Sequence, residues 1–148
     1  MIGLTREADG ALRIAWLLAK EDRVIGAGVI AEQVAVSPKF TLKILRQLLQ
    51  GGVVRAERGK CGGYALAMAP EKITVRRIVE LIDGPIAINR CEAQDFFCSR
   101  MGYNKGACRF HCLFAAVSDR LARDLETVTL AMMLSEDRSP IEFLSSHS

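Results

Sequence analysis

Four side chains able to bind a metal lie close together between residues 91 and 111. Three are thiols and one is an imidazole, spaced Cys-x6-Cys-x9-Cys-x2-His: Cys91, Cys98, Cys108 and His111. Thiolates are natural ligands of zinc and of iron–sulfur clusters, and an imidazole can supply a remaining position. No Cys-x2-Cys pair occurs, so this spacing alone does not decide between the two kinds of centre.

These cysteines could instead be small buried side chains, because free cysteine is often buried. The segment around them is too polar for a core segment, since it contains Glu92, Asp95, Arg100, Asn104 and Lys105. A structureless loop of about 20 residues is also uncommon in a compact domain unless it is functional or tied down. A bound metal centre that orders the loop is therefore the favoured interpretation.

The chain has five cysteines in all, and two lie outside this set. Cys112 follows Cys108 by four residues, on the same helical face, so it could replace a ligand, although a buried thiol is the favoured interpretation. Cys61 is surrounded by glycines and is far along the chain from the cluster, so we assign it no metal role; a glycine-rich exposed position could leave it open to oxidants.

The elements before this loop follow a recognisable order. Apolar spacing predicts a helix over residues 5–20 and a short second helix over 30–34. Ser37-Pro38 gives a capping side chain and a proline at the first helical position, which predicts that a third helix begins there and ends at Gly51-Gly52. Residues 53–57 and 64–68 have strand composition and flank a glycine-rich tip, which predicts a β-hairpin.

Basic residues are concentrated in the third helix and the hairpin. Residues 1–90 hold fourteen Lys/Arg against nine Asp/Glu, whereas residues 91–148 hold six against eight. Surface charges usually only solvate a helix, but here the excess lies in the two elements of a winged helix-turn-helix that would contact DNA together. The predicted DNA-binding residues are Ser37, Lys39, Lys43, Arg46, Arg58 and Lys60.

The remaining chain is predicted to be mainly helical. A helix over 74–82 stops at Gly84-Pro85, and a long apolar-striped helix runs from Cys108 to about Ser135 with no Gly or Pro inside it. The predicted fold is thus mainly α with a small β-hairpin wing. Its segments are a winged helix-turn-helix over 1–84, a cluster-binding loop over 85–107, a long helix over 108–135 and a polar tail over 136–148.

Composition and the absence of certain motifs argue against several classes of protein. With 148 residues, 50% apolar and 25% charged, the sequence indicates one compact soluble domain. Its apolar runs are far shorter than the roughly 20 residues that span a bilayer, and no signal peptide is visible, so we expect a cytoplasmic protein without membrane segments. A cytoplasmic location argues against a disulfide framework, because thiols are kept reduced there. No catalytic or nucleotide-binding motif is present, so we predict no enzymatic activity.

Several motifs resemble the bacterial Rrf-two (Rrf2) type of winged-helix regulators, a family that includes the iron–sulfur regulator IscR and the nitric-oxide sensor NsrR. The resemblance covers about residues 1–134. Its most specific part is Arg58-Gly59-x-x-Gly62-Gly63-Tyr64-x-Leu66. It also includes Ser37-x-x-Phe40-x-x-Lys43-Ile44-Leu45, and the segment from Cys108-x-x-His111 to Leu121, which is similar to the segment joining cluster loop and dimerisation helix in IscR-type members.

The resemblance implies a homodimer joined through the long helix, with an iron–sulfur cluster whose state controls binding to a double-stranded DNA operator. Cys91, Cys98 and Cys108 would be the cluster thiolates and His111 the fourth ligand. Asp9 occupies the position from which some NsrR-like members donate a carboxylate across the dimer, so Asp9 and Cys112 are alternative fourth ligands. The gaps between the cysteines are longer than in IscR, so both [2Fe-2S] and [4Fe-4S] clusters fit the pattern.

We therefore predict a dimeric, iron–sulfur-dependent transcriptional regulator, most simply a repressor, that senses iron–sulfur status, nitric oxide or redox state. Two alternatives remain. One is a cluster-free regulator of the same fold, controlled by thiol oxidation or by a partner protein. The other is a redox or electron-transfer protein whose basic face docks an acidic protein.

Overall fold

A computed structural model of the chain describes residues 3–102 and 104–145. Within those residues it contains seven α-helices and one antiparallel sheet of two strands. The helices are α1 (Arg6–Glu21), α2 (Ala27–Gln33), α3 (Pro38–Gln50), α4 (Val75–Asp83), α5 (Arg109–Thr127), α6 (Leu130–Leu134) and α7 (Glu142–Ser145). The strands are β1 (Val54–Glu57) and β2 (Gly63–Leu66). The predicted fold class, mainly helical with a hairpin wing, is confirmed.

Local capping explains where the first and third helices begin. The Thr5 hydroxyl accepts a hydrogen bond from the Ala8 amide, and the Ser37 hydroxyl accepts one from the Phe40 amide. Each bond satisfies an amide that has no partner inside its helix. Both helices turn their apolar faces toward one core, whose fully buried members include Ile14, Leu18, Ile30, Ile44, Leu45 and Leu48.

The hairpin is joined to the helices by its backbone. Val54 of β1 is paired with Leu66 of β2, and Tyr64 also exchanges two backbone hydrogen bonds with Ile25, which lies between α1 and α2. Gly63 makes this approach close: a β-carbon there would lie 2.3 Å from the Ile25 carbonyl oxygen. The wing is therefore fixed to the helical unit.

The prediction of one long helix over residues 108–135 is wrong. Helix α5 ends at Thr127, and α6 begins only at Leu130. The backbone between them pairs with the segment before α4, since the Val75 amide donates to the Val128 carbonyl (2.8 Å) and the Leu130 amide donates to the Ile73 carbonyl (2.9 Å). Three consecutive β-branched residues, 127–129, favour this extended conformation. Leu130 is 2% exposed and belongs to the core of the N-terminal unit.

The C-terminal segment was expected to be a polar tail, and this is wrong for part of it. Phe143 of α7 is only 5% exposed, and α7 packs against α5. His147, within the predicted polar tail, lies outside the described residues. No helix in the described part of the chain combines the length and the apolarity needed to cross a membrane.

Candidate DNA-binding surface and metal centre

The predicted DNA-contacting side chains are exposed along α3 and at the hairpin tip. Ser37 caps α3, and Lys39, Lys43 and Arg46 project from its solvent face. Arg58 and Lys60 lie in the exposed turn between β1 and β2. An α-helix of about 10–12 Å diameter fits the major groove of B-DNA, and a basic hairpin beside it can reach phosphates. The arrangement has the shape and charge of a DNA-binding surface.

Carboxylates neutralise two basic side chains of this region. Arg55 of β1 pairs with Glu57 on the same strand. Lys43 of α3 pairs with Glu7 of α1, with 2.5 Å between Nζ and Oε1. Glu7 cannot be singled out from the sequence, because the two residues lie 36 positions apart and only the packing of α1 on α3 brings them together.

Two of the four predicted metal ligands meet. The Cys91 Sγ lies 3.2 Å from the His111 Nδ1, in a half-buried position. Cys91 belongs to a 3-10 turn, Arg90–Glu92, which is capped by Asn89 and Glu92, while His111 lies in the first turn of α5. The preceding Ile88 amide donates to the buried Ser118 hydroxyl at 2.9 Å, which ties the loop to α5.

The other two predicted thiol ligands lie apart from this pair. Cys98 and Gly102 exchange backbone hydrogen bonds in a small turn, and Cys108 is half-buried just before α5. Backbone hydrogen bonds from Arg100 and Met101 lower the pKa of the Cys98 thiol below its ordinary value, and the charge of Arg100 adds to the effect. Across residues 3–102 and 104–145, no three His, Cys, Asp or Glu side chains converge on one point that could hold a metal ion.

The alternative fourth ligands have other partners within the chain. Asp9 pairs with Arg13 one helical turn away on α1, with 3.0 Å between carboxylate and guanidinium. The Cys112 thiol donates to the Gly106 carbonyl at 3.4 Å and is exposed, so the expectation that Cys112 is a buried thiol is wrong. Cys61 is exposed at the hairpin tip.

An exposed apolar stripe runs along α5. Its members recur every three or four residues and are 69%, 55%, 44% and 38% exposed in chain order: Phe110, Leu113, Val117 and Leu121. Large side chains at this spacing form one face of a helix. Exposed apolar patches of this kind commonly mark surfaces for protein contact.

Comparisons with known proteins agree with this geometry. Residues 4–136 match the family model Rrf2, described as "Iron-dependent Transcriptional regulator". A Rhodobacter capsulatus protein named as an rrf2-like HTH-type transcriptional regulator is 31% identical over 139 residues, which are 89% of this chain and 92% of that protein. The HTH-type transcriptional regulator IscR of Yersinia pseudotuberculosis is 25% identical over 118 residues, which are 80% of this chain and 69% of that protein.

Among solved structures, the chain is similar to CymR, the global cysteine regulator of Bacillus subtilis. The TM-score is 0.73 at 23% identity, with 93% of this chain and 100% of CymR covered. These relatives are regulators of transcription and not enzymes, and the shared winged-helix architecture is one that binds DNA. The family match spans nearly the whole chain, and so the protein belongs to the Rrf2 family of transcriptional regulators.

Proposed function

We propose that this protein is a homodimeric repressor that binds an operator in double-stranded DNA and responds to the state of an iron–sulfur cluster. The 3.2 Å approach of Cys91 to His111 is the observation that carries the cluster assignment, because it brings a loop thiol to an imidazole on α5. As a DNA-binding regulator, the protein would act in the cytoplasm, where the bacterial chromosome lies.

DNA binding would use α3 and the wing of each subunit. Helix α3 would enter the major groove, where Lys39, Lys43 and Arg46 reach base edges and phosphates. Arg58 and Lys60 would contact phosphates beside the groove. Two-fold recognition requires the two α3 helices of a dimer to lie about one turn of DNA apart, roughly 34 Å. The exposed stripe on α5 is the surface we propose for the dimer contact.

The donor set fits an iron–sulfur cluster chemically. Cys91, Cys98 and Cys108 would supply thiolates, and His111 the fourth ligand. When bound, the cluster would supply a group that reacts with oxidants or nitric oxide and whose assembly depends on the iron supply. Cys98 and Cys108 must approach the Cys91–His111 pair to share one centre with it, and the family description as iron-dependent supports such a centre.

The chain connects this loop to the DNA-binding surface through α5. Ser118 holds the loop at Ile88, and the end of α5 is paired with the start of α4 through the Val75–Val128 hydrogen bond. Helix α4 is hydrogen-bonded to the start of α1 and to the end of α3. Asp83 of α4 accepts a hydrogen bond from the Thr5 hydroxyl, and Arg77 of α4 donates one to the Gly51 carbonyl. A change in the loop can therefore alter the spacing of the two α3 helices.

Anaerobic purification followed by a DNA-binding titration tests the two halves of this proposal. We expect a brown protein with visible thiolate-to-iron absorption that binds one selected operator. Replacing Lys39, Lys43 and Arg46 with alanine together should abolish operator binding. Unchanged affinity in that triple variant would overturn the DNA-binding assignment, and a colourless protein holding zinc would overturn the cluster assignment.

A second candidate has a specific observation in its favour. Within the described residues the predicted ligands do not form one site, and the fold is shared with CymR, a global cysteine regulator. The protein would then be a cluster-free regulator controlled by thiol oxidation or by a partner protein. Anaerobic protein that is colourless, free of metal and still binds the operator would identify this alternative.

A further inference from the structure

We infer that Glu7 is a specificity-determining residue of the DNA-binding surface, which acts by holding Lys43 away from DNA phosphates. This inference rests on the proposed DNA-binding function. Lys43 lies in the middle of α3, and its Nζ is 2.5 Å from a Glu7 carboxylate oxygen. In the described residues, Lys39, Arg46, Arg58 and Lys60 form no ion pair, so Lys43 is the α3 cation that carries its own counter-ion.

The position of Glu7 is fixed by the fold. Glu7 is the second residue of α1, and the helix start is anchored because Thr5 bonds to both Asp83 carboxylate oxygens, at 2.5 and 3.2 Å. One turn further on, a β-carbon at Gly10 would lie 2.7 Å from the Ile44 side chain, so α1 and α3 are in close contact there. The packing of α1 on α3 therefore places the Glu7 carboxylate beside Lys43.

Side-chain exposure agrees with a role at the surface. The Glu7 side chain is 30% exposed and that of Lys43 57%, so the pair is open to solvent and gives little stability to the fold. The Glu7–Lys43 pair has a larger effect on the affinity for DNA, because the carboxylate both repels phosphates and competes with them for Lys43. Nonspecific binding, which depends on phosphate contacts, is therefore weakened most.

The Glu7 carboxylate lowers the affinity for a specific DNA site less than it lowers nonspecific affinity. The Lys43 ammonium has three donors, so it can keep one hydrogen bond to Glu7 and donate another to an acceptor on a base edge, such as guanine O6 or N7. A lysine held in this way has fewer conformations to lose when it contacts a base. Glu7 thus increases the ratio of specific to nonspecific affinity.

The test compares Glu7→Gln with the wild-type protein on the selected operator and on a noncognate duplex of equal length, across a range of KCl concentrations. We expect nonspecific affinity to rise about threefold or more, and its dependence on salt to steepen by about one unit in log–log slope, because Lys43 gains one phosphate contact. Operator affinity should change less, so the specificity ratio should fall.

Glu21→Gln is the matched control, because Glu21 lies at the other end of α1 and pairs with Arg23 at 2.9 Å. It removes the same charge and should leave both affinities unchanged. In a Lys43→Ala background, Glu7→Gln should no longer alter the salt slope. An equal effect with and without Lys43 would overturn the claim that Glu7 acts through Lys43.

If Glu7→Gln matches the wild type on both duplexes at every salt concentration, the inference is wrong while the DNA-binding function stands. If wild-type protein binds neither duplex, the proposed function itself fails.

Discussion

The thiol of Cys91 and the imidazole of His111 lie 3.2 Å apart although 20 positions separate them in the chain. One belongs to a loop and the other to the first turn of α5, so the proposed ligand set crosses the junction between a loop and a helix. Any centre bound there would link the position of the loop to that of α5.

His111→Ala should remove a nitrogen ligand from the cluster. Pulsed electron paramagnetic resonance of the reduced wild-type protein should show nitrogen hyperfine coupling, and this coupling should be absent in the variant. Cys91→Ala, Cys98→Ala and Cys108→Ala should each lose most of the visible absorption, because thiolates carry the charge-transfer bands. Cys61→Ala, far away at the wing tip, should keep the wild-type spectrum.

The fourth ligand has two alternatives that the same measurement separates. A carboxylate is a hard ligand and binds weakly beside soft thiolates, so Asp9→Ala should leave the spectrum unchanged if His111 is the ligand. If the wild type lacks nitrogen coupling and Asp9→Ala changes the spectrum, Asp9 is the ligand and our assignment is wrong. A changed spectrum in Cys112→Ala would identify the thiol instead.

Ser118→Ala should release the loop from α5. The Ser118 side chain is buried, and within the described residues its hydroxyl is the one acceptor of the Ile88 amide. Removing the hydroxyl leaves this partly buried amide without a partner, which costs about 1–2 kcal/mol in stability. Hydrogen exchange should accelerate for the amides of residues 86–92. Ser99→Ala, at an exposed loop position, should not change this exchange. Unchanged protection in Ser118→Ala would contradict the proposed anchor.

Leu130→Ala should destabilise the N-terminal unit. Leu130 is 2% exposed in the same core as Ile14 and Ile73, and truncating a buried leucine typically costs about 2–4 kcal/mol. Urea unfolding at one fixed protein concentration measures the change, because the stability of a homodimer, the state proposed here, depends on concentration. Met133→Ala, more exposed on the same helix, should cost less than about 1 kcal/mol. Equal losses would show that α6 does not complete the core.

Gly63→Ala should detach the wing. The new β-carbon would lie 2.3 Å from the Ile25 carbonyl oxygen. Both backbone segments are hydrogen-bonded there, so neither can move without weakening those bonds. We expect a loss of about 2 kcal/mol or more in stability, together with weaker operator binding. Gly28→Ala, where nothing lies within 4 Å, should be neutral or slightly stabilising. Wild-type stability in Gly63→Ala would show that the close approach is not maintained.

Features that depend on local chemistry could be predicted from the sequence. Ser37-Pro38 marks the start of α3 because a cap and a proline act within one turn, and the glycines around residue 60 indicate the hairpin tip. The break between α5 and α6 could not be predicted in this way, because it depends on backbone bonds to Ile73 and Val75, more than 50 positions away. For the same reason, the pairing of Glu7 with Lys43 required the crossing of α1 and α3.

The pairing of residues 128–130 with residues 73–75 also affects how the protein is made. A ribosome synthesises the N-terminus first, yet the core of the DNA-binding unit lacks Leu130 until α5 has also been translated. The unit therefore acquires its full stability only on polypeptides that already carry α5, with its apolar stripe and His111. Products terminated before Leu130 would keep the basic helix but not a finished core, so we expect them to compete poorly for DNA.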